Sequence, residues 1–395
     1  MPYLGKAPFT ISSIQPLVPG LIIDTITKEE VIPQDAAADP DKVSTVQIAT
    51  LRVSDVRGNS LEFVTKRSKQ RPHNAAVASP TFARDLSERL NECNFYLHYS
   101  DFFHTAGVTV PKAWSIKVPP PPNPNRREST STAAATSITM LLSNLKASSA
   151  SFRGSSGVKL DYFQTVACLT YLAEFHAVHW ESKESESSLF SFGGHGGSDY
   201  DLTSGGESSG GSWGEVGSKL IEMRVPLRRR LNDSLTRSRR HRTVIHGSFE
   251  SSNLIFFPSS NPHPTISSTD FKLSGLGYGV WDVASLLSTS TSPNILTHDQ
   301  KEDEFIEAYF QHLSQTLRSL KKPPLPPGYN LKACKKMYQL CLLEYSCNKV
   351  CSDSVGIFEY ANWRCRQIID EIEVGSEAYD SESYGTAINN YFPLT

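Results

Sequence analysis

Apolar and polar residues alternate along two β-branched stretches in the first fifth of the chain. TVQIATLRVSD (45–55) and SLEFVTKRS (60–68) both have the period of two that places one face of a strand against a core. RGN separates them, and a short turn of this kind joins antiparallel strands, so the two stretches predict a β-hairpin. VPKAWSIKV and ATSITMLLSNL predict two further strands.

Longer stretches have apolar residues at helical spacing. PTFARDLSERLNECNFYLHYSDFF (80–103) opens with Pro-Thr, which is typical of a helix start, and LDYFQTVACLTYLAEFHAVHW (160–180) is strongly periodic. From about residue 300 onward the pattern is that of amphipathic helices. This order predicts an α+β fold, with a small strand-rich N-terminal part that contains one long helix and a larger, mainly helical C-terminal part.

Two segments of low complexity interrupt these patterns. Residues 118–137 begin with a proline run, and residues 181–215 are rich in serine and glycine. Neither segment has enough apolar side chains to offset the entropy of ordering it, so we predict a Pro-rich insertion and a disordered Ser/Gly-rich insertion. The predicted boundaries are 1–20 for an N-terminal segment, 20–143 for an N-lobe, 144–375 for a C-lobe and 376–395 for a flexible tail.

Composition and charge restrict the class of protein. The chain has 395 residues and a formal net charge of −2, so no overall charge attracts nucleic acid or an anionic membrane, and we expect neither partner. No apolar stretch is long enough for a signal peptide or a membrane helix. Seven cysteines without paired spacing fit a reducing compartment, which indicates a cytoplasmic protein.

Arginine is concentrated in RVPLRRRLNDSLTRSRRHR (224–242), which holds eight arginines. Two interpretations stay open for this stretch. It is either a solvated helix face with its flanking loop, or a patch that binds an acidic partner or a phosphorylated ligand. Aromatic residues are absent from it, which argues against stacking with nucleic-acid bases.

Four separated positions occur in the order found in enzymes that transfer a phosphoryl group from ATP. Lys66 ends the strand EFVTK, and Glu92 lies on the following helix, where it could pair with that lysine. HGSFESSN (246–253) predicts a loop between two short strands and ends in Asn253, and Asp270 follows a strand-like stretch and precedes a Phe. Each position alone is weak evidence, but the order and spacing of all four favour phosphoryl-transfer chemistry.

Longer motifs carry a resemblance to a known family. DFKLSGLGYGVWDVASLL (270–287) fits the signature D-[FW]-Q-x4-G-x-G-x2-D-[LI]-A, LTYLAEFHAVHW fits L-A-x2-H-A-x2-W, and ECNFYLHY fits E-x2-F-Y. Over about residues 40–375 the chain resembles the choline kinase and aminoglycoside phosphotransferase superfamily, and most closely its ecdysteroid-kinase-like (CHK kinase-like) branch. The resemblance implies a protein-kinase-like two-lobed fold, in which an antiparallel sheet and one αC-like helix form the N-lobe and the C-lobe is mainly helical.

The resemblance also implies a role for each matched residue in an ATP- and Mg²⁺-dependent transfer to an alcohol group of a small molecule. Lys66 would contact the α- and β-phosphates, and Glu92 would orient it. Asn253 and Asp270 would hold Mg²⁺. Two residues would have structural roles in the catalytic loop: His246 within it and Asp282 bracing it. The sequence does not identify the acceptor.

Several positions depart from the pattern of the family. Ser248 stands where the family has the Asp that accepts the proton of the substrate hydroxyl, and a serine hydroxyl is a far weaker base. Glu250, two residues further on, is a candidate substitute base. Lys272 replaces the Gln that follows Asp-Phe, and Ser143 and Asn144 replace an acidic pair in the hinge strand. Two functions therefore stay open: a phosphotransferase of weak activity, or a pseudokinase that binds nucleotide or another ligand without turnover.

Overall fold

The structure is a computed structural model of the chain that forms two compact units. The first unit comprises Met1–Asp101 and Val110–Ser151, and the second comprises Phe102–Thr109 and Phe152–Thr395. The structure describes residues 23–33, 44–55, 60–70, 80–117, 137–145, 152–153, 159–181, 213–237, 241–258, 264–351, 359–374 and 380–393. The predicted N-terminal segment 1–20 and nearly all of the Pro-rich insertion lie outside these ranges.

An antiparallel sheet of five strands, in the order β1-β2-β3-β5-β4, is the framework of the first unit. Its strands are β1 (Ile23–Pro33), β2 (Ser44–Asp55), β3 (Ser60–Gln70), β4 (Ala113–Lys117) and β5 (Ser137–Ser143). The predicted hairpin is confirmed, since β2 and β3 pair antiparallel with Ile48 opposite Lys66, while its turn lies outside the described residues. Alternate residues such as Leu51 and Val53 are buried, as the period of two predicted.

The predicted helix 80–103 is divided into α1 (Pro80–His98) and α2 (Ser100–Thr105). At the break, Ser100 Oγ donates a hydrogen bond of 2.7 Å to the carbonyl of Tyr96. That carbonyl is the group that a continuous helix would bond to the amide of Ser100, and a serine side chain competes for it. The long helix α1 is the αC-like helix that the sequence predicted for this unit.

The second unit is mainly helical. Its helices are α3 (Tyr162–Val178), α4 (Gly214–Arg237), α5 (Val280–Thr289), α6 (Pro293–Thr297), α7 (Glu302–Ser319), α8 (Leu331–Cys351), α9 (Glu359–Val374) and α10 (Ser381–Tyr391). Short strands form two small antiparallel sheets, and they are β6 (Phe152–Arg153), β7 (Arg242–Ile245), β8 (Leu254–Phe257), β9 (Thr265–Ser268) and β10 (Gly275–Tyr278). The chain therefore has the mixed α+β, two-unit architecture that the sequence predicted. Within the described ranges, no helix combines the length and apolar character that crossing a membrane requires.

The flexible tail predicted for 376–395 is wrong over residues 380–393. Asp380 caps α10 in a capping box with Ser383, and α10 packs against α4. Tyr384, Ile388 and Phe392 are buried, at the spacing of one helix face. The helix forms because these apolar side chains pack against another helix. In the sequence, polar residues separate them, so the segment did not indicate a helix.

The Ser/Gly-rich insertion predicted for 181–215 is shorter than expected at its C-terminal end. Residues 182–212 lie outside the described residues. However, α4 already begins at Gly214, and Trp213 beside it is buried. The burial of this single large aromatic side chain stabilises the start of the helix.

Arginines of α4 make internal contacts in the second unit. Arg228 donates from Nε to Glu344 on α8 over 3.0 Å and from Nη2 to Asn348 over 2.9 Å. Arg230 is buried and donates from Nε to the carbonyl of Phe392 over 2.7 Å. These two arginines thus hold α8 and the end of α10 against α4, while Arg229 is exposed.

The buried carboxyl group of Glu344 predicts a dependence of stability on pH. Burial raises the pKa of Glu344 from 4.5 to about 7, and Arg228 opposes the rise. The folded chain then holds a proton that the unfolded chain releases, so the free energy of unfolding falls as the pH rises between those values. Glu344→Gln has no such carboxyl, so it should gain on the order of 3 kcal/mol relative to the unsubstituted protein from about pH 5 to about pH 8.

Urea denaturation of both proteins across that pH range measures this difference. Glu307→Gln on α7 is the control, because Glu307 is exposed and its replacement should leave the pH profile unchanged. Parallel pH profiles for Glu344→Gln and the unsubstituted protein would contradict the assignment to Glu344.

Candidate active site

Lys66 and Glu92 form an ion pair inside the first unit. Lys66 lies on β3 and Glu92 on α1, and Nζ is 2.7 Å from Oε2. The glutamate side chain is 3% exposed and the lysine side chain 17% exposed, so water screens the pair little. The structure thus brings these two residues together as the sequence predicted, and the pair restricts the direction of the lysine side chain.

The two hinge residues that depart from the family pattern have structural contacts in the same unit. Asn144 donates from Nδ2 to Oε2 of Glu62 over 3.0 Å. Ser143 Oγ accepts the amide of Lys112 over 2.8 Å. Both side chains therefore tie the end of β5 to its neighbours in the first unit.

Asp282 anchors the loop that follows β7 in the second unit. It lies in the first turn of α5 with no exposed surface. Its Oδ2 accepts the amide of His246 over 2.7 Å, and its Oδ1 accepts the amide of Gly247 over 2.9 Å. His176 Nε2 lies 3.0 Å from Oδ2 and donates to it, while Nδ1 of the same ring is 2.9 Å from the hydroxyl of Tyr309. The brace that the resemblance assigned to Asp282 is thus visible as three hydrogen bonds.

Gly247 allows the loop to pack closely against the turn after β9. Its φ of +83° lies in the left-handed region, and a Cβ there would be 2.0 Å from the carbonyl oxygen of Leu273. Leu273 ends a 3₁₀ turn, Phe271–Leu273, which directly follows Asp270. Glycine at this position therefore lets the loop and the segment around Asp270 touch.

Asn253 and Asp270 lie next to each other through hydrogen bonds of the loop. The carbonyl of Asn253 accepts the amide of Thr269 over 2.9 Å and its hydroxyl over 3.1 Å. The side chain of Asn253 donates from Nδ2 to the carbonyl of Ser248 over 2.9 Å, which leaves its amide oxygen for another partner. Asp270 itself has φ 68° and ψ 60°, a left-handed conformation that is uncommon for residues other than glycine and costs local strain.

His246 links the loop to the same segment. Burial lowers the pKa of His246 below the ordinary histidine value, although Asp282 raises it. The neutral ring donates from Nε2 to the carbonyl of Thr269 over 2.9 Å, and Nδ1 accepts the amide of Ser248 over 3.3 Å. Both ring nitrogens of this histidine thus bind backbone groups of the second unit.

The residues around Asp270 fit a magnesium site that a nucleotide would complete. Mg²⁺ is commonly held by one or two protein oxygen ligands together with substrate phosphates and water. Asp270 offers a carboxylate and Asn253 an amide oxygen. Among the described residues, no group of three or more His, Cys, Asp or Glu side chains could hold a metal on its own. The local donor set therefore suits a metal that arrives with phosphate groups.

Glu250 is bound by α8. Its Oε1 accepts the hydroxyl of Tyr345 over 3.1 Å and the ammonium group of Lys349 over 3.0 Å. Both donors hold the carboxylate of Glu250 toward α8. To act in place of the missing Asp at Ser248, the Glu250 side chain would have to leave both partners.

Four residues of this arrangement were not singled out from the sequence: His176, Tyr309, Tyr345 and Lys349. His176 had a usable signal, because it is the His of the matched helix motif L-A-x2-H-A-x2-W. The other three lie on α7 and α8, more than 50 residues from the loop along the chain, and only tertiary packing brings them into this arrangement.

Solved structures of small-molecule kinases resemble this chain at low identity. An amicoumacin kinase in complex with AMP-PNP and Ca²⁺ has a TM-score of 0.41 and 11% identity and covers 90% of each chain. A microcompartment-associated aminopropanol kinase has a TM-score of 0.36 and 15% identity, with 87% of this chain and 90% of that chain covered. A Plasmodium vivax ethanolamine kinase has a TM-score of 0.39 and 11% identity, with 86% of this chain and 84% of that chain covered.

A family model gives the broader similarity. No curated protein matches the chain significantly. The model of the ecdysteroid kinase-like family matches residues 46–322, which is more than two thirds of the chain. The match spans both compact units and includes every residue of the Lys66–Glu92 pair and of the loop around Asp282.

Proposed function

The chain belongs to the ecdysteroid kinase-like family, and from that premise we propose that it binds ATP with Mg²⁺ and transfers a phosphoryl group to a hydroxyl group of a small molecule. The acceptor class is no narrower than this, because fold does not determine substrate. The proposed location is cytoplasmic.

The observation that carries the proposal is the intact frame of the catalytic-type loop. Asp282 fixes the amides of His246 and Gly247, and the side chain of Asn253 is tied to the carbonyl of Ser248. This frame requires a buried charge, which costs free energy unless it is fully hydrogen-bonded. A buried carboxylate that accepts two backbone amides of one loop is well explained if that loop positions reacting groups.

In the proposed reaction the residues of this chain mainly position groups and supply charge. Bound Mg²⁺ supplies neutralisation of phosphate charge. Lys66, oriented by Glu92, donates to phosphate oxygens, and Asn253 and Asp270 offer the oxygen ligands. Because the transition state of phosphoryl transfer is loose, the acceptor loses its proton late in the reaction. The residue at position 248 therefore affects the rate of transfer, and nucleotide binding does not depend on it.

A pseudokinase is the second candidate function, and a specific observation favours it. Ser248 has no carboxylate, and the nearest candidate replacement, Glu250, is held by Tyr345 and Lys349. In this alternative the protein binds nucleotide or another ligand without turnover and acts as a binding or regulatory module. Where the ligand of the pseudokinase is a nucleotide, the two candidates share its site and differ only in transfer.

Thermal unfolding with ATP, with and without Mg²⁺, tests the shared nucleotide site. A ligand at about 100 times its dissociation constant should stabilise the folded protein by about 2.7 kcal/mol, or roughly 3 °C for a chain of this length. The part of the shift that Mg²⁺ adds should require Asp270 and disappear in Asp270→Ala. Asp303→Ala is the matched control, since it also removes an aspartate paired with a lysine, Lys335, but on the surface of α7. No shift at saturating ATP in the unsubstituted protein would refute the proposal.

Ser248→Asp then distinguishes the two candidates. If the protein is a weak phosphotransferase, restoring the carboxylate should raise turnover by roughly two orders of magnitude or more on an acceptor that the unsubstituted protein already phosphorylates. Transfer to a panel of hydroxyl compounds is measured with both proteins. Nucleotide binding without transfer by either protein would support the pseudokinase.

A further inference from the structure

The ammonium group of Lys272 lies on the carboxylate of Asp270. Lys272 Nζ is 3.0 Å from Asp270 Oδ2, with the lysine side chain 42% exposed and the aspartate side chain 21% exposed. This lysine stands where the family pattern has a neutral Gln, so the pair adds a positive charge to the carboxylate that was assigned to a metal. This added charge bears on the metal requirement of nucleotide binding, which the proposed reaction leaves open.

The backbone that carries Lys272 is held on both sides. Phe271 before it has no exposed surface and lies against Phe175 and His246, with ring centroids 6.0 and 4.7 Å apart. Leu273 after it presents its carbonyl to Gly247, at a contact that would exclude even one methyl group. The 3₁₀ turn between them therefore fixes where the Lys272 side chain starts, and Asp270 lies within its reach.

An ammonium group at this carboxylate has two physical consequences. It compensates the charge of Asp270, so that the carboxylate repels the phosphates of ATP less when no metal is present. It also competes with a divalent cation for Oδ2, because the cation must displace the lysine from that oxygen. Both effects reduce the advantage that Mg²⁺ gives to nucleotide binding, and they act in the same direction.

We propose that Lys272 is a tethered cation of the nucleotide site, and that it makes the binding of a nucleoside triphosphate largely independent of divalent metal. The proposal rests on the proposed function, because it concerns the same site. It assigns Lys272 as the residue that determines the metal requirement. A surface lysine with only a structural role would not alter the metal requirement of nucleotide binding.

The experiment measures the dissociation constant of ATP by calorimetry, once with excess Mg²⁺ and once with EDTA. For the unsubstituted protein the two constants should differ by less than about tenfold, whereas in Lys272→Gln the constant in EDTA should rise so that the ratio grows at least about tenfold. Lys272→Arg keeps the charge and should keep the small ratio. Lys301→Gln is the matched control, because Lys301 forms a similar exposed pair with Glu304 at the start of α7.

A second measurement reads the metal directly. Mn²⁺ binding without nucleotide, followed by electron paramagnetic resonance, should be tighter in Lys272→Gln than in the unsubstituted protein. Equal ratios of ATP dissociation constants in the two proteins would overturn the role of Lys272 and leave the nucleotide site intact. If neither protein binds ATP in either condition, the proposed function and the role of Lys272 fall together.

Discussion

Replacing Asp282 with alanine should lower the free energy of unfolding by about 4 kcal/mol. The carboxylate is fully buried and accepts the amides of His246 and Gly247 and the Nε2 of His176. Alanine leaves these three donors without their acceptor at a position that has no exposed surface. The loss is therefore one of the largest that a single substitution in this chain should produce.

Urea denaturation followed by circular dichroism measures the effect. Asp282→Asn should lose about half as much, because its amide oxygen accepts one backbone amide while its NH₂ group faces the other donor. Asp303→Ala, at a side chain that is 72% exposed, should stay within about 0.5 kcal/mol of the unsubstituted protein. A loss below about 1 kcal/mol for Asp282→Ala would contradict the brace, because loop amides that do without this carboxylate are not held by it.

Gly247→Ala should destabilise the protein by about 3 kcal/mol or more and abolish nucleotide binding. Two costs add at this position: the left-handed φ of +83°, and the overlap of the new methyl group with the carbonyl of Leu273. Relief of the overlap moves the turn that carries Asp270 and Lys272 away from the loop. Nucleotide binding should therefore be lost even in the fraction that stays folded.

Gly107 provides the matched control for this substitution. Its φ of +82° is nearly the same, but a Cβ at Gly107 would meet nothing within 4 Å. Gly107→Ala therefore carries the backbone cost alone, about 1–2 kcal/mol. The difference between the two variants, read from urea denaturation, isolates the contact with Leu273. Equal losses in both variants would show that the loop yields without cost and that close packing does not hold it.

Local patterns in the sequence predicted most of the elements correctly. The hairpin of β2 and β3 and the helix α7 follow from periodicities of two and 3.6 residues, which need only neighbouring residues to be recognised. The prediction of a flexible tail was wrong because α10 is stabilised by packing against α4, whereas its own composition is polar. The break at Tyr99 was not predicted, and beside it the hydroxyl of Ser100 donates to the carbonyl of Tyr96.

The sequence by itself determined the order of the residues assigned to the chemistry. It predicted Lys66 on a strand, Glu92 on the following helix, and Asn253 and Asp270 on two later loops. It also determined the departures at Ser248 and Lys272. Only the tertiary structure decided their partners. Asp282 meets His176 across 106 residues, Glu250 meets Lys349 across 99, and the pKa of Glu344 depends on burial under α4. Burial and long-range hydrogen bonds arise when separate elements pack, and no local periodicity encodes which side chains then meet.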